Sequence, residues 1–204
     1  MYRHINRQID EVLERVDPNF FQEYHWLLEH RQGLALTARY QRRYKSYWGM
    51  GAARLPNAFY AAYFDELANP QNGIPNPIAL AQALAPLTNR PSLHVSFCTK
   101  LCHMLDPHLP IIDGLIMNFY FWRTPNLDLA GRANYFRECY QFLIKEYQRI
   151  LADDLLNASI AEIRRQFPLA VGVTDERVVD ALIWHTVRVL RDRGLVRRRI
   201  VYDG

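Results

Sequence analysis

The chain has 204 residues, of which half are apolar, 13% aromatic and 23% charged. That length and composition suffice for a buried core and exclude an intrinsically disordered chain. The formal charge of +4 and pI near 9.0 are mild; they favour solubility and, weakly, a polyanionic partner.

Ile5, Ile9, Val12, Leu13 and Val16 are spaced for one helix face, ended by Asp17-Pro18. Phe20, Phe21, Tyr24, Leu27 and Leu28 predict a second helix that stops near Gly33. Leu36, Tyr40, Tyr44 and Trp48 continue with helical spacing to Gly49. Pro56 to Leu67 reads as a helix, and Asn69 to Pro75 as turn material. Asn76-Pro77 supplies an N-cap and a proline at the first helical position of a helix running to about Leu87. Ser92 or Ser96 opens the next, which ends before Asp106-Pro107, and Asp113 caps a helix from Gly114 to Trp122. From Asp128 to Leu151 the apolar residues Leu129, Ala133, Phe136, Tyr140, Leu143, Tyr147 and Ile150 alternate steps of four and three, one continuous stripe. A shorter helix covers Ile160 to Phe167. Thr174 then caps a long helix with Val178, Val179, Leu182, Ile183, Val187 and Leu190 on its buried face and Gly194 at its end. Val196 to Tyr202 reads as a short strand or a tail. Strand signals are otherwise scarce and no internal repeat is visible, so the expectation is an all-α, compact multi-helix domain over 1–204, with 157–204 as a candidate C-terminal helical appendage.

Three cysteines, Cys98, Cys102 and Cys139, are too few and odd in number for a disulfide framework, which points to a reducing compartment. Residues Met1 to Gln8 contain no apolar core of a signal peptide. The most apolar stretch, Leu109 to Trp122, is interrupted by Asp113 and Asn118 and is too short to span a bilayer. The expected location is cytoplasmic, with no membrane association.

Charge is unevenly distributed. No acidic residue occurs from His30 to Phe64, where Arg31, Arg39, Arg42, Arg43, Lys45 and Arg54 all fall. A second basic run holds Arg188, Arg191, Arg193, Arg197, Arg198 and Arg199. The stretch Arg39 to Trp48 interleaves cations with aromatics, a pattern suited to phosphate contact and base stacking. Helical spacing also lets Tyr40, Tyr44 and Trp48 be buried, with the cations in water. There is no P-loop, no dinucleotide-binding glycine motif, no H-E-x-x-H, no G-x-S-x-G and no paired C-x-x-C. His94, Cys98 and Cys102 recur every four residues, but the outer pair would stand about 12 Å apart along a helix. They read as small core residues, so no metal or cofactor is expected.

The chemistry-bearing segment is Ser96 to Leu101, followed by Asp106 to Asp113. Lys100 falls at the edge of an apolar arc, where desolvation lowers an amine's pKa toward a usable nucleophile. Asp113 follows Pro110-Ile111-Ile112 at a helix start, across a loop from Lys100. The same two residues also read as a snorkelling lysine and a plain N-cap.

Thr99-Lys100 together with Pro110-Ile111-Ile112-Asp113 resembles the helix-hairpin-helix DNA glycosylases, in particular the 8-oxoguanine DNA glycosylase-like branch and bacterial proteins grouped with it. The resemblance covers about 25 residues. It implies that Lys100 attacks C1′ of a damaged nucleotide, that Asp113 stabilises the developing oxocarbenium charge or assists proton transfer, and that the base is flipped into an aromatic pocket. Two features differ from the family's pattern: Asn89 to His94 stands where a glycine-rich hairpin would grip DNA, and the lysine-to-aspartate spacing is shorter.

The resulting expectation is a DNA-associated protein with Lys100 and Asp113 as catalytic residues and Arg39, Arg42, Arg43, Lys45 and Arg54 on nucleic acid. The alternative is a non-catalytic module binding nucleic acid or a protein. A winged-helix-like reader built from 160–199 is a third arrangement.

Overall fold

A computed structural model describes residues 1–70, 73–89 and 92–193. Eleven α-helices make up the described chain, with no β-sheet: α1 (Tyr2–Arg7), α2 (Ile9–Glu14), α3 (Phe20–Leu34), α4 (Ala38–Tyr47), α5 (Asn57–Ala68), α6 (Pro77–Leu84), α7 (Val95–Leu105), α8 (Gly114–Phe119), α9 (Leu129–Ala152), α10 (Asn157–Gln166) and α11 (Asp175–Asp192). The all-α expectation therefore holds. Among the described residues no helix is long and apolar enough to cross a membrane. Gly194, the segment 196–202 and Arg197 to Arg199 lie outside the described residues, as do Arg90 and Pro91.

Local chemistry sets most boundaries. Asn76 Oδ1 accepts from the amides of Ile78 and Ala79, and Asp128 Oδ1 accepts from Gly131, so both helices begin where side-chain caps are available. The α9 stripe from Ala133 to Ile150 is buried as its spacing requires.

Several boundaries differ from the sequence reading. The first helix is two, broken at Gln8, whose amide is shared between the His4 and Ile5 carbonyls. Leu36 is exposed, because α3 ends in a left-handed turn at Gly33 and α4 starts afresh on its cap, Thr37. Neither Ser92 nor Ser96 caps α7, which begins after His94 with no side-chain cap. Finally, α8 stops at Phe119, since Phe121 adopts a positive φ of 58°.

At the centre lies α11. Twelve of its eighteen residues are buried, as expected of a helix surrounded by others. It packs on α1, α2, α8, α9 and α10. The buried set of α11 includes two charged residues, Arg177 and Asp180, and these face the pocket described next.

Candidate active site

Helix α7 is buried along almost its whole length, and Lys100 is only 7% exposed. The chain gives this amine one hydrogen-bond partner by ending α4 early. Gly49, at φ 65°, takes the left-handed turn that L side chains resist, and its amide closes on Ser46 O. The Trp48 carbonyl, just past the last turn of α4, is thereby left without a helical partner. Lys100 Nζ donates to it at 3.1 Å. The negative end of α4 and the rings of Trp48 and Phe97, each 5.9 Å away, offset part of the cost of burying the ammonium. Burial still lowers the Lys100 pKa, opposed by the charges of Asp113 and Asp180 and reinforced by Arg177.

The loop from Asp106 to Asp113 is tied down on both sides. Ile112 N donates to Thr99 Oγ1 at 3.1 Å, and the Thr99 hydroxyl faces the Ile112 and Ser96 carbonyls in return. His103, the next turn of α7, bonds the Leu109 carbonyl through Nδ1 at 2.7 Å and Tyr24 Oη through Nε2 at 2.8 Å. The carbonyl can only accept, so Nδ1 carries the proton and Nε2 accepts from the phenol. Burial, helped by Arg177, pushes this imidazole down to about 3 and keeps it neutral. On the far side, Thr174 donates to the Pro107 carbonyl at 2.8 Å. Thr99→Val keeps the shape of the side chain but leaves the buried Ile112 amide unpaired. It should cost about 1–3 kcal/mol of stability, read by chemical denaturation; an unchanged midpoint would remove Thr99 as the bracket between α7 and the loop.

Asp113 ends this loop as the N-cap of α8. Its Oδ1 accepts from Leu115 N and Ile116 N at 2.8 and 2.9 Å, and its Oδ2 accepts from the Trp184 indole at 3.0 Å. Lys100 and Asp113 both line one pocket of about 510 Å³. Its apolar walls are Phe20, Tyr47, Trp48, Phe97 and Trp184, and Arg177, Asp180 and Arg191 complete its charged lining.

Comparison with family models, curated proteins and solved structures finds no match to this chain.

Arg177 and Asp180 are the residues that sequence reasoning missed. Arg177 donates to Asp180 Oδ2 at 2.5 Å and to Tyr47 Oη at 2.7 Å. Its guanidinium lies 4.8 Å from the Phe20 ring centre and 5.1 Å from that of Trp48. Tyr147 donates to Asp180 Oδ1 over a longer 3.3 Å. Burial raises the Asp180 pKa up to about 7 against the lowering pull of Arg177 and Lys100. The available signal was two opposite charges three residues apart, flanked by Val178, Val179, Ala181, Leu182 and Ile183, in a helix whose residues are mostly buried.

The basic residues separate into groups. Arg39 and Arg43 both lie over the Trp26 ring, at 5.7 and 3.6 Å, and Arg43 also pairs with Glu23. Arg42 is exposed one turn before Ser46, which lines the pocket. Arg43 lines a groove that shares Phe20, Ser46 and Tyr47 with the pocket. Lys45 instead stands over Tyr60 at 4.6 Å, and Arg54 is exposed in a left-handed backbone position beyond α4. Cys98 and Cys102 are fully buried, and Cys102 Sγ donates to the Pro75 carbonyl.

Proposed function

We propose that this protein acts on DNA as an N-glycosylase with abasic-site lyase activity, with Lys100 as nucleophile. One observation carries the reading: a nearly dry amine, held by a single carbonyl, lies in the wall of a pocket that also contains a fully hydrogen-bonded carboxylate. Deprotonated Lys100 attacks C1′ of the deoxyribose, and the base departs with the electron pair of the glycosidic bond. Asp113, fixed by three N–H donors, stabilises positive charge developing at the sugar. The aromatic walls suit an extruded base. Arg39 and Arg42 form a cationic stripe along α4 that leads to Ser46 at the pocket, in position to hold the phosphates on either side.

The decisive experiment is borohydride reduction in the presence of an abasic-site duplex. Wild type should become covalently attached to DNA through Lys100, and Lys100→Ala should not. Absence of any adduct with wild type, or an adduct that persists in Lys100→Ala, would remove the assignment.

The exposed stripe also favours a second reading, nucleic-acid binding without chemistry. Arg39→Ala and Arg42→Ala should each weaken duplex binding and reduce the slope of log K against log salt by about one. Binding with that salt dependence but with no adduct would favour this second reading. No binding at low salt would overturn both.

A further inference from the structure

The charged groups lining the pocket are Lys100, Arg177 and Arg191 against Asp113 and Asp180. All but one are bound internally. Lys100 donates to the Trp48 carbonyl, Arg177 pairs with Asp180, and both oxygens of Asp113 accept from backbone amides and an indole. Arg191 is the exception. It is exposed in the last turn of α11, and among the described residues its guanidinium has neither an ion pair nor a hydrogen bond.

Its neighbours at the end of α11 are used differently. Asp192 pairs with Arg15 at 3.2 Å and Arg193 with Glu11, which fastens this end of the helix to α2. Arg188 lies with its guanidinium 4.8 Å from the Trp184 ring centre. Arg177, Trp184 and Arg191 recur every seven residues, so each step turns only about 20° around the helix, and the three span about 21 Å of its axis. They form one stripe that begins at a buried residue and ends at an exposed cation, all of it in the pocket lining. Helical side chains lean toward the N-terminus, so Arg191 leans back toward Trp184. A cation in the last turn also suits the helix dipole. That accounts for the sign of the charge but not for its place in the pocket.

A nucleotide drawn toward this pocket brings a phosphate that carries a full negative charge. Moving that charge against aromatic walls without a counter-charge is costly. Arg177 is already neutralised by Asp180, so Arg191 is the lining cation left to meet it. We infer that Arg191 holds the backbone phosphate of the extruded nucleotide at the mouth of the pocket. The inference rests on the glycosylase reading. An arginine fork presents two N–H groups to two phosphate oxygens, which fixes orientation as well as position. Arg188, beside it on Trp184, adds to the positive field there. The strand is then divided between two helices: Arg39 and Arg42 of α4 hold flanking phosphates, and Arg191 of α11 holds the one attached to the reacting sugar.

Neutral replacement of single phosphates tests this. The probe is a duplex with a tetrahydrofuran abasic site, which lacks the C1′ hydroxyl and cannot react with Lys100. A methylphosphonate is placed in turn at each phosphate on its 5′ and 3′ sides. Arg191→Ala should weaken binding of the unmodified duplex about tenfold and leave the melting temperature close to that of wild type, since the side chain is exposed. At one phosphate the methylphosphonate should weaken wild type by a similar factor and leave Arg191→Ala almost unaffected, because both changes remove the same contact. Unchanged binding, losses that add at every phosphate, or a binding loss that follows a fall in melting temperature would overturn the inference. Borohydride capture on a reactive abasic site separates it from the reading beneath it. An adduct through Lys100 with no coupling at any phosphate would remove the role of Arg191 and keep the glycosylase. Coupling at one phosphate in a protein that never forms an adduct would keep the phosphate contact and remove the glycosylase.

Discussion

Replacing Lys100 with methionine should abolish covalent capture on abasic-site DNA and lower strand cleavage by on the order of 10⁴-fold, because only background chemistry survives the loss of a nucleophile. The same substitution should leave the melting temperature unchanged or raise it. Lys100 has one carbonyl ligand and is 7% exposed, so its ammonium is incompletely compensated in the folded state. Methionine fills similar space between Trp48 and Phe97 without that desolvation penalty. The split between the two measurements matters. A residue kept for stability would lose melting temperature when removed, whereas one kept for chemistry loses turnover and gains stability. A variant that melts well below wild type would show that the amine is chiefly a clasp on the end of α4.

The second large effect concerns Arg177. Arg177→Met leaves Asp180 buried with only the Tyr147 hydroxyl donating to it, and should destabilise the fold by about 3–5 kcal/mol. The double variant Arg177→Met/Asp180→Leu should recover most of that, since an apolar pair of similar volume avoids the desolvation of both ions. The pH dependence follows from Asp180. Burial already raises its folded pKa above the value for the unfolded chain, despite Arg177. A carboxyl raised in this way contributes stability below its unfolded pKa, and that contribution is lost as pH rises through the folded pKa. Without the guanidinium the folded pKa climbs further, so the deficit of Arg177→Met should be small at pH 5 and large at pH 8. Urea denaturation at the two values decides the matter. An equal deficit at both would mean that Asp180 finds another counter-charge.

How much of this was legible beforehand depends on which interactions are local. The α9 stripe, the Asn76 and Thr174 caps and the turn at Gly49 were readable because their causes lie within a few residues. Lys100 and Asp113 were readable as two sides of one loop for the same reason. The bracket formed by Thr99 with Ile112, and the indole of Trp184 on Asp113, were not: the second joins residues 71 positions apart. Arg177 and Asp180 were hidden because charged side chains in an amphipathic helix are ordinarily counted on its wet face, and α11 has very little of one. The failure of Ser92 or Ser96 to cap α7 has a similar origin. That helix begins inside the protein, where packing of Val95 and Phe97 decides its start.

The carbonyl that anchors Lys100 belongs to residue 48, and the carboxylates that favour its charged form arrive with residues 113 and 180. During synthesis the lysine therefore leaves the ribosome as an ordinary, fully hydrated amine. Its pocket is complete only once α11 has emerged, because Arg177, Asp180, Trp184 and Arg191 all belong to that helix. A chain that stopped before α11 would carry the amine with that whole side of the pocket missing.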